Sequence, residues 1–158
     1  MQESQGHGGC WSGTRHCPLH QARAGRRQLG RIEQGIEHGR RMAHLYDNLL
    51  GEPGWPMPTL PDGIDPLLVR YQVRARHKQR ALQTAARYWV ELGSWFECPL
   101  HPIETPMEAY DYHPGMCPVA ERFCSEVVNL PLHPRANENT VRRSVEFITG
   151  IGPADEMP

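Results

Sequence analysis

Lysine is nearly absent from this chain. Lys78 is the only one among 17 basic residues; the rest are arginine. Chemistry that needs a side-chain amine therefore has a single candidate position. Long apolar runs are also missing. Nothing approaches the roughly 18–20 consecutive apolar residues of a membrane-spanning helix, so no membrane partner is expected. The first residues, MQESQGHGG, show no basic cluster followed by an apolar stretch, which argues against a secretory leader. Charge of one sign is lacking: 17 basic against 18 acidic groups give a net charge of −1. That removes the general electrostatic reason to expect nucleic acid. The phosphate-loop, dinucleotide-loop and nucleophile-elbow motifs do not occur.

Five cysteines are present, at positions 10, 17, 98, 117 and 124. Their odd number and wide spacing give no disulfide framework, and the expected setting is reducing and cytoplasmic. No pair has the C-x-x-C spacing of a structural zinc site. The neighbours of Cys10 and Cys17 (His16 and His20) and the Cys98–His101 pair do not supply one either, so no metal is expected. Cys117 and Cys124, two helical turns apart, read as small core residues. Cys98 near His101 is open to two readings: a nucleophile beside a base, or a buried thiol beside a loop histidine.

With 158 residues, the chain matches one domain of ordinary size. Fifteen glycines and fifteen prolines predict long loops between short elements. Residues 1–18 read as an irregular arm and 151–158 as a tail. Over 19–50 the apolar residues Leu29, Ile32, Ile36, Leu45 and Leu49 recur at helical spacing, predicting one long helix. Gly25, Gly30, Gly35 and Gly39 weaken it, and serve either close helix approach or a kink. Five prolines between 53 and 66 make a loop. Val69, Tyr71 and Val73 alternate within a strand over 67–75. A helix over 77–92 follows, with Leu82, Ala85, Trp89 and Leu92 inward and Gly93 just past its end. Residues 94–98 read as a short strand. Pro118 opens a further helix bearing Val119, Ala120, Phe123 and Val127. Residues 128–131 are extended, and Asn137 caps a last helix carrying Val141, Val145 and Ile148. The fold class is α+β, with helices packed on one side of a small mixed or antiparallel sheet.

Trp89 and one of Trp95 or Phe96 are expected to fill the core. Trp95 and Phe96 alternate, so one of them faces outward. That outward ring, Glu97 and His101 cluster at a strand end and form a candidate binding edge. Lys78, at the start of a helix, reads as a solvated surface residue.

Residues 117–135, CPVAERFCSEVVNLPLHPR, resemble the C-terminal signature of DegT-type (StrS-like) aminotransferases, with an Ala-Glu helix, a Val-x-x-Leu-Pro strand and a His-Pro turn. GSWFECPLH at 93–101 is similar to that family's Gly-Ile … Pro-Leu-His strand and loop. QARAGRRQL at 21–29 is similar to its linker helix. The likeness runs over roughly residues 19–148. It implies the small C-terminal domain of a fold-type I transaminase, spanning 19–150 here, with 19–50 as a long linker helix.

The resemblance further implies pyridoxal phosphate as the family's cofactor, a nucleotide-linked keto sugar as substrate, and a role in polysaccharide biosynthesis. His101 matches the Pro-Leu-His histidine of a loop near the active site. With Trp95 and Glu97 it makes the substrate-side candidates; no catalytic or cofactor-binding residue transfers. Many members have a His-Tyr pair where this chain has Trp95-Phe96. Asn129 and His133 look structural. In the family the Schiff-base lysine sits in a preceding large domain, and Lys78 lies beyond the linker helix, out of that place. Transimination needs such an amine. The expectation is a fragment inactive alone that binds no cofactor by itself. The alternative is a non-catalytic module that self-associates or joins a full-length transaminase.

Overall fold

Lys78 to Ala85 shows how sequence becomes structure here: buried residues at 78, 81 and 85 put one stripe of a helix inward. In the computed structural model, residues 19–56, 61–64, 66–101 and 106–155 are described. The arm at 1–18, with Cys10, His16 and Cys17, lies outside them, as do Pro58, Pro102 and the last three residues of the tail. The chain divides into two units, up to Glu33 and from Gln34 onward.

The first unit contains α1 (Leu19–Leu29), which buries no residue. The expected single helix over 19–50 is interrupted. A turn at Gly30 and Arg31 separates α1 from α2 (Ile32–Gly51). Gly30 N–H bonds Arg26 O at 3.1 Å and Arg31 N–H bonds Gln28 O at 3.0 Å, a tightened helix end that satisfies otherwise orphaned carbonyls. Of the two uses considered for glycine, a break is the one found at Gly30.

In the second unit, β1 (Tyr71–Arg74) pairs antiparallel with β2 (Val127–Leu130), Tyr71 opposite Leu130 and Arg74 opposite Val127. Between them run α3 (Lys78–Ala85) and α4 (Pro118–Glu126), and α5 (Glu138–Ile151) follows. β1 is shorter than the strand read over 67–75: Tyr71 and Val73 alternate inward with Gln72 exposed, but Val69 lies outside the strand and is exposed. β2 is buried at all four positions. Residues of α2, α3 and α5 meet both strands in one core: Tyr46 and Leu50, Ala81, Val141, Val145 and Ile148, against Val73, Val128 and Leu130. The Tyr46 and Tyr71 rings stack at 4.6 Å. Trp55, from the proline-rich loop, is also buried there.

Local signals held at two helix starts. Pro118 is the first residue of α4. Asn137 Oδ1 accepts from Thr140 N–H at 3.0 Å while Thr140 Oγ1 accepts from Asn137 N–H at 3.3 Å, a reciprocal capping box. At the far end the chain returns to β1: Ala154 N–H bonds Arg74 O at 3.0 Å and Arg76 N–H bonds Gly152 O at 3.1 Å. Arg74 and Arg122 both bond Glu126 and the carbonyl of Asp155. On the other edge, Gly93 and Asn129 exchange two backbone bonds of 2.9 Å.

Several expectations fail, for identifiable reasons. The helix after β1 stops at Ala85 and tightens into a 3₁₀ turn over Ala86–Tyr88. Trp89 then takes a left-handed conformation (φ 56°) and is 85% exposed, so it is not a core residue. Gly93 is therefore no helix cap; it pairs with Asn129, where a Cβ would come within 3.3 Å of the Asn129 Cβ. Residues 94–98 form no strand. On α4, Val119 is exposed and Cys124 is buried, while Cys117 is exposed rather than core. Val127 belongs to β2.

Ile148→Ala is expected to cost about 2–5 kcal/mol, the range for emptying a buried aliphatic site, read from chemical denaturation. Alkaline pH should also destabilise the fold. Burial pushes the Tyr46 phenol up to about 12. Tyr71 is raised by burial and by its bond to Asp47, and Tyr112 by its bond to Glu121. The folded state keeps protons that the unfolded chain releases from about pH 10, so stability falls as pH rises from there toward 12. Lys78, lowered by burial, acts in the opposite sense but is one group against three. Denaturation midpoints measured with tyrosinate absorbance across that interval check this.

Candidate functional site

Lys78 begins α3 immediately after β1 and its side chain turns inward, only 3% exposed. The solvated position expected from its polar neighbours is thus corrected. Its Nζ donates to three carbonyls: Cys124 O at 2.7 Å, Phe96 O at 2.8 Å and Ser94 O at 3.2 Å. An ammonium has three N–H donors and no acceptor, so the set is complete. Burial lowers the pKa of Lys78.

Asn129 supplies the fourth hold. Its side-chain amide donates to Trp95 O, so the carbonyls of Ser94, Trp95 and Phe96 are all taken by side chains. No strand forms over 94–98, and the backbone acceptors of 94–96 are satisfied by Lys78 and Asn129 instead of a ladder.

With the backbone held from inside, the rings point out. Trp95 is 48% and Phe96 38% exposed, so both face solvent instead of dividing between core and surface. Their centroids lie 5.5 Å apart. The His101 ring meets Trp95 at 6.0 Å and Phe96 at 5.7 Å, edge-on to both. Two of the three expected site residues, Trp95 and His101, are thus brought together. Glu97 is exposed beside them and accepts a hydrogen bond from the Ser94 hydroxyl at 2.7 Å. Among the described residues no hydrogen bond links Cys98 to His101, so the geometry of a thiol–imidazole pair is not present. None of the described His, Cys, Asp and Glu side chains gather into a group that would hold a metal. His133 fixes its turn, accepting from Arg135 N–H at 3.2 Å and lying 3.1 Å from Glu91.

Trp95 and Phe96 also form one wall of a cleft of about 640 Å³. Leu67 and Leu68 line it, and α2 contributes Arg40, His44 and Asp47. Tyr71 donates to Asp47 Oδ1 at 2.7 Å on its floor. Sequence reasoning missed the side of the cleft made by Leu67, Leu68 and α2, and, although Asn129 was rightly read as structural, it missed the inward turn of Lys78 and the hold of Asn129 on the Trp95 carbonyl. Signals for both existed. Lys78 falls three residues before Ala81 on the inward stripe, and Asn129 is a lone polar residue in the apolar run VVNLPL.

The family model of DegT/DnrJ/EryC1/StrS aminotransferases matches residues 19–149, and the chain belongs to that family. Two solved structures share its fold. A DegT DnrJ EryC1 StrS aminotransferase from Brucella abortus is 24% identical, with a TM-score of 0.64 over 80% of this chain and 34% of its own. DesV of S. venezuelae, solved in complex with a ketimine intermediate, is 21% identical, with a TM-score of 0.71 over 85% of this chain and 37% of its own. The chain therefore spans about a third of either structure. A comparison with curated proteins found no match.

The family's aminotransferases use pyridoxal phosphate. The residues present do not fit its Schiff-base site. The sole lysine is buried with all three donors committed to backbone carbonyls. No step through that cofactor is assigned to this chain's residues.

Tyr71→Phe, which removes the phenol from Asp47 at the cleft floor, is expected to lower stability by about 0.5–1.5 kcal/mol, the net worth of one such bond. Urea titration of both proteins measures it.

Proposed function

We propose that this chain supplies the C-terminal part of an aminotransferase that moves an amino group onto a nucleotide-linked keto sugar. Its 19–150 region is the small domain, and the catalytic lysine comes from a large domain that this sequence does not contain. The observation that carries this reading is the state of Lys78. A family match over 19–149 calls for a Schiff-base amine, and the only amine side chain here is enclosed. Trp95, Glu97 and His101 are the sugar-side residues. Aromatic faces suit the C–H face of a sugar ring, and a carboxylate and an imidazole suit its hydroxyls. The setting proposed is cytoplasmic.

A second reading is favoured by one further observation. Ile64, Leu67, Leu68, Val69, Trp95 and Phe96 are all exposed apolar side chains. Such surface marks association, which suits a non-catalytic module that pairs with itself or with a full-length transaminase.

Incubation with pyridoxal phosphate followed by borohydride reduction tests the central point. The expected outcome is no stoichiometric adduct at Lys78 and no amino transfer by the chain alone. A stoichiometric Lys78 adduct with an imine absorption band would overturn the proposal. Transfer to a keto sugar that appears only with an added lysine-bearing transaminase domain supports the first reading over the second.

A further inference from the structure

The Trp95–Phe96 step breaks an ordinary rule of folding. Two large neighbouring rings are left 48% and 38% exposed, although burying apolar surface stabilises a fold. The interior devices that hold them out are costly too. Lys78 is a buried cation whose three donors bond to neutral carbonyls, and an ammonium loses much hydration on burial. Asn129 spends its amide on the carbonyl between the other two. The three acceptors belong to consecutive residues, 94, 95 and 96, so interior side chains hold every carbonyl of the ring-bearing segment. Cys124 O, at the end of α4, ties the same ammonium to the element that leads into β2. Departures from local rules of this kind concentrate at functional sites.

We propose that Lys78 and Asn129 are positioning residues that hold Trp95, Phe96 and His101 as a preformed surface for the apolar face of a sugar ring. This rests on the sugar-side reading of those residues given above. Neither positioning residue touches the ligand; each acts through the carbonyls of the ring-bearing segment. Lys78 is thereby a fixed part of a recognition surface and not a latent nucleophile.

Fluorine NMR of the full chain labelled with fluorotryptophan tests the proposal, with UDP-glucose as the probe. Trp95→Phe and Trp55→Phe identify the two resonances that matter. Trp55 is buried in the core and reports whether the fold survives. In Lys78→Met, the Trp95 resonance should shift toward the free amino acid while Trp55 stays native. UDP-glucose should bind about tenfold more weakly, the effect of having to order the surface on binding. A wild-type Trp95 resonance and unchanged UDP-glucose affinity in that variant would overturn the proposal. If Trp55 is displaced as well, Asn129→Leu decides by the same two readouts, because its backbone pairing with Gly93 remains. A wild-type chain whose Trp95 ignores UDP-glucose, combined with a Trp95 shift in Lys78→Met, sinks the sugar reading and supports the positioning role.

Discussion

One buried ammonium underlies the aromatic surface of Trp95, Phe96 and His101. Lys78 gathers carbonyls from the 94–96 segment and from the end of α4. It thus joins three stretches that are far apart in sequence: the start of α3, the aromatic segment and the approach to β2. A hydrophobic residue at the same place would fill the space but leave three carbonyls without partners, each costing about 1–3 kcal/mol if it stayed buried. The cation is tolerated chiefly because it satisfies the backbone, with attraction from the Glu97 carboxylate as a lesser help. With Asn129 on the carbonyl between, this contact accompanies the outward Trp95 and Phe96 rings and commits the chain's only lysine.

What was legible in the sequence was what is decided locally. The cap at Asn137, the opening proline at 118, the alternation of Tyr71 and Val73 and the inward spacing of Val141, Val145 and Ile148 involve partners within a turn or on one face. What was not legible depends on distant partners. Lys78 bonds a carbonyl 46 residues away. Its immediate neighbours His77, Gln79 and Arg80 are exposed and disguise it. Trp89 looked like a core residue because the helical period was carried past Ala85, where the turn tightens. The 94–98 segment has the composition of a strand, but the carbonyls of 94–96 accept from side chains that sequence alone does not place beside them.

The site was legible in part for the same reason. Trp95 and His101 lie six positions apart, and a short loop brings their rings together. Glu97 was placed nearby but its hydrogen bond runs to Ser94, not to the rings. The opposite wall of the cleft, from Leu67 and Leu68 to α2, comes from residues whose sequence shows only a loop end and a helix face.

The two ends of the sheet carry a different consequence. Its strands are four residues long. The returning chain at 153–154 meets β1, and Gly93 meets β2. Little unpaired backbone is left for an incoming strand to copy. Any second molecule that joins this domain must recognise it by side chains, and the joining surface will then be tuned by ordinary point substitutions instead of by backbone register.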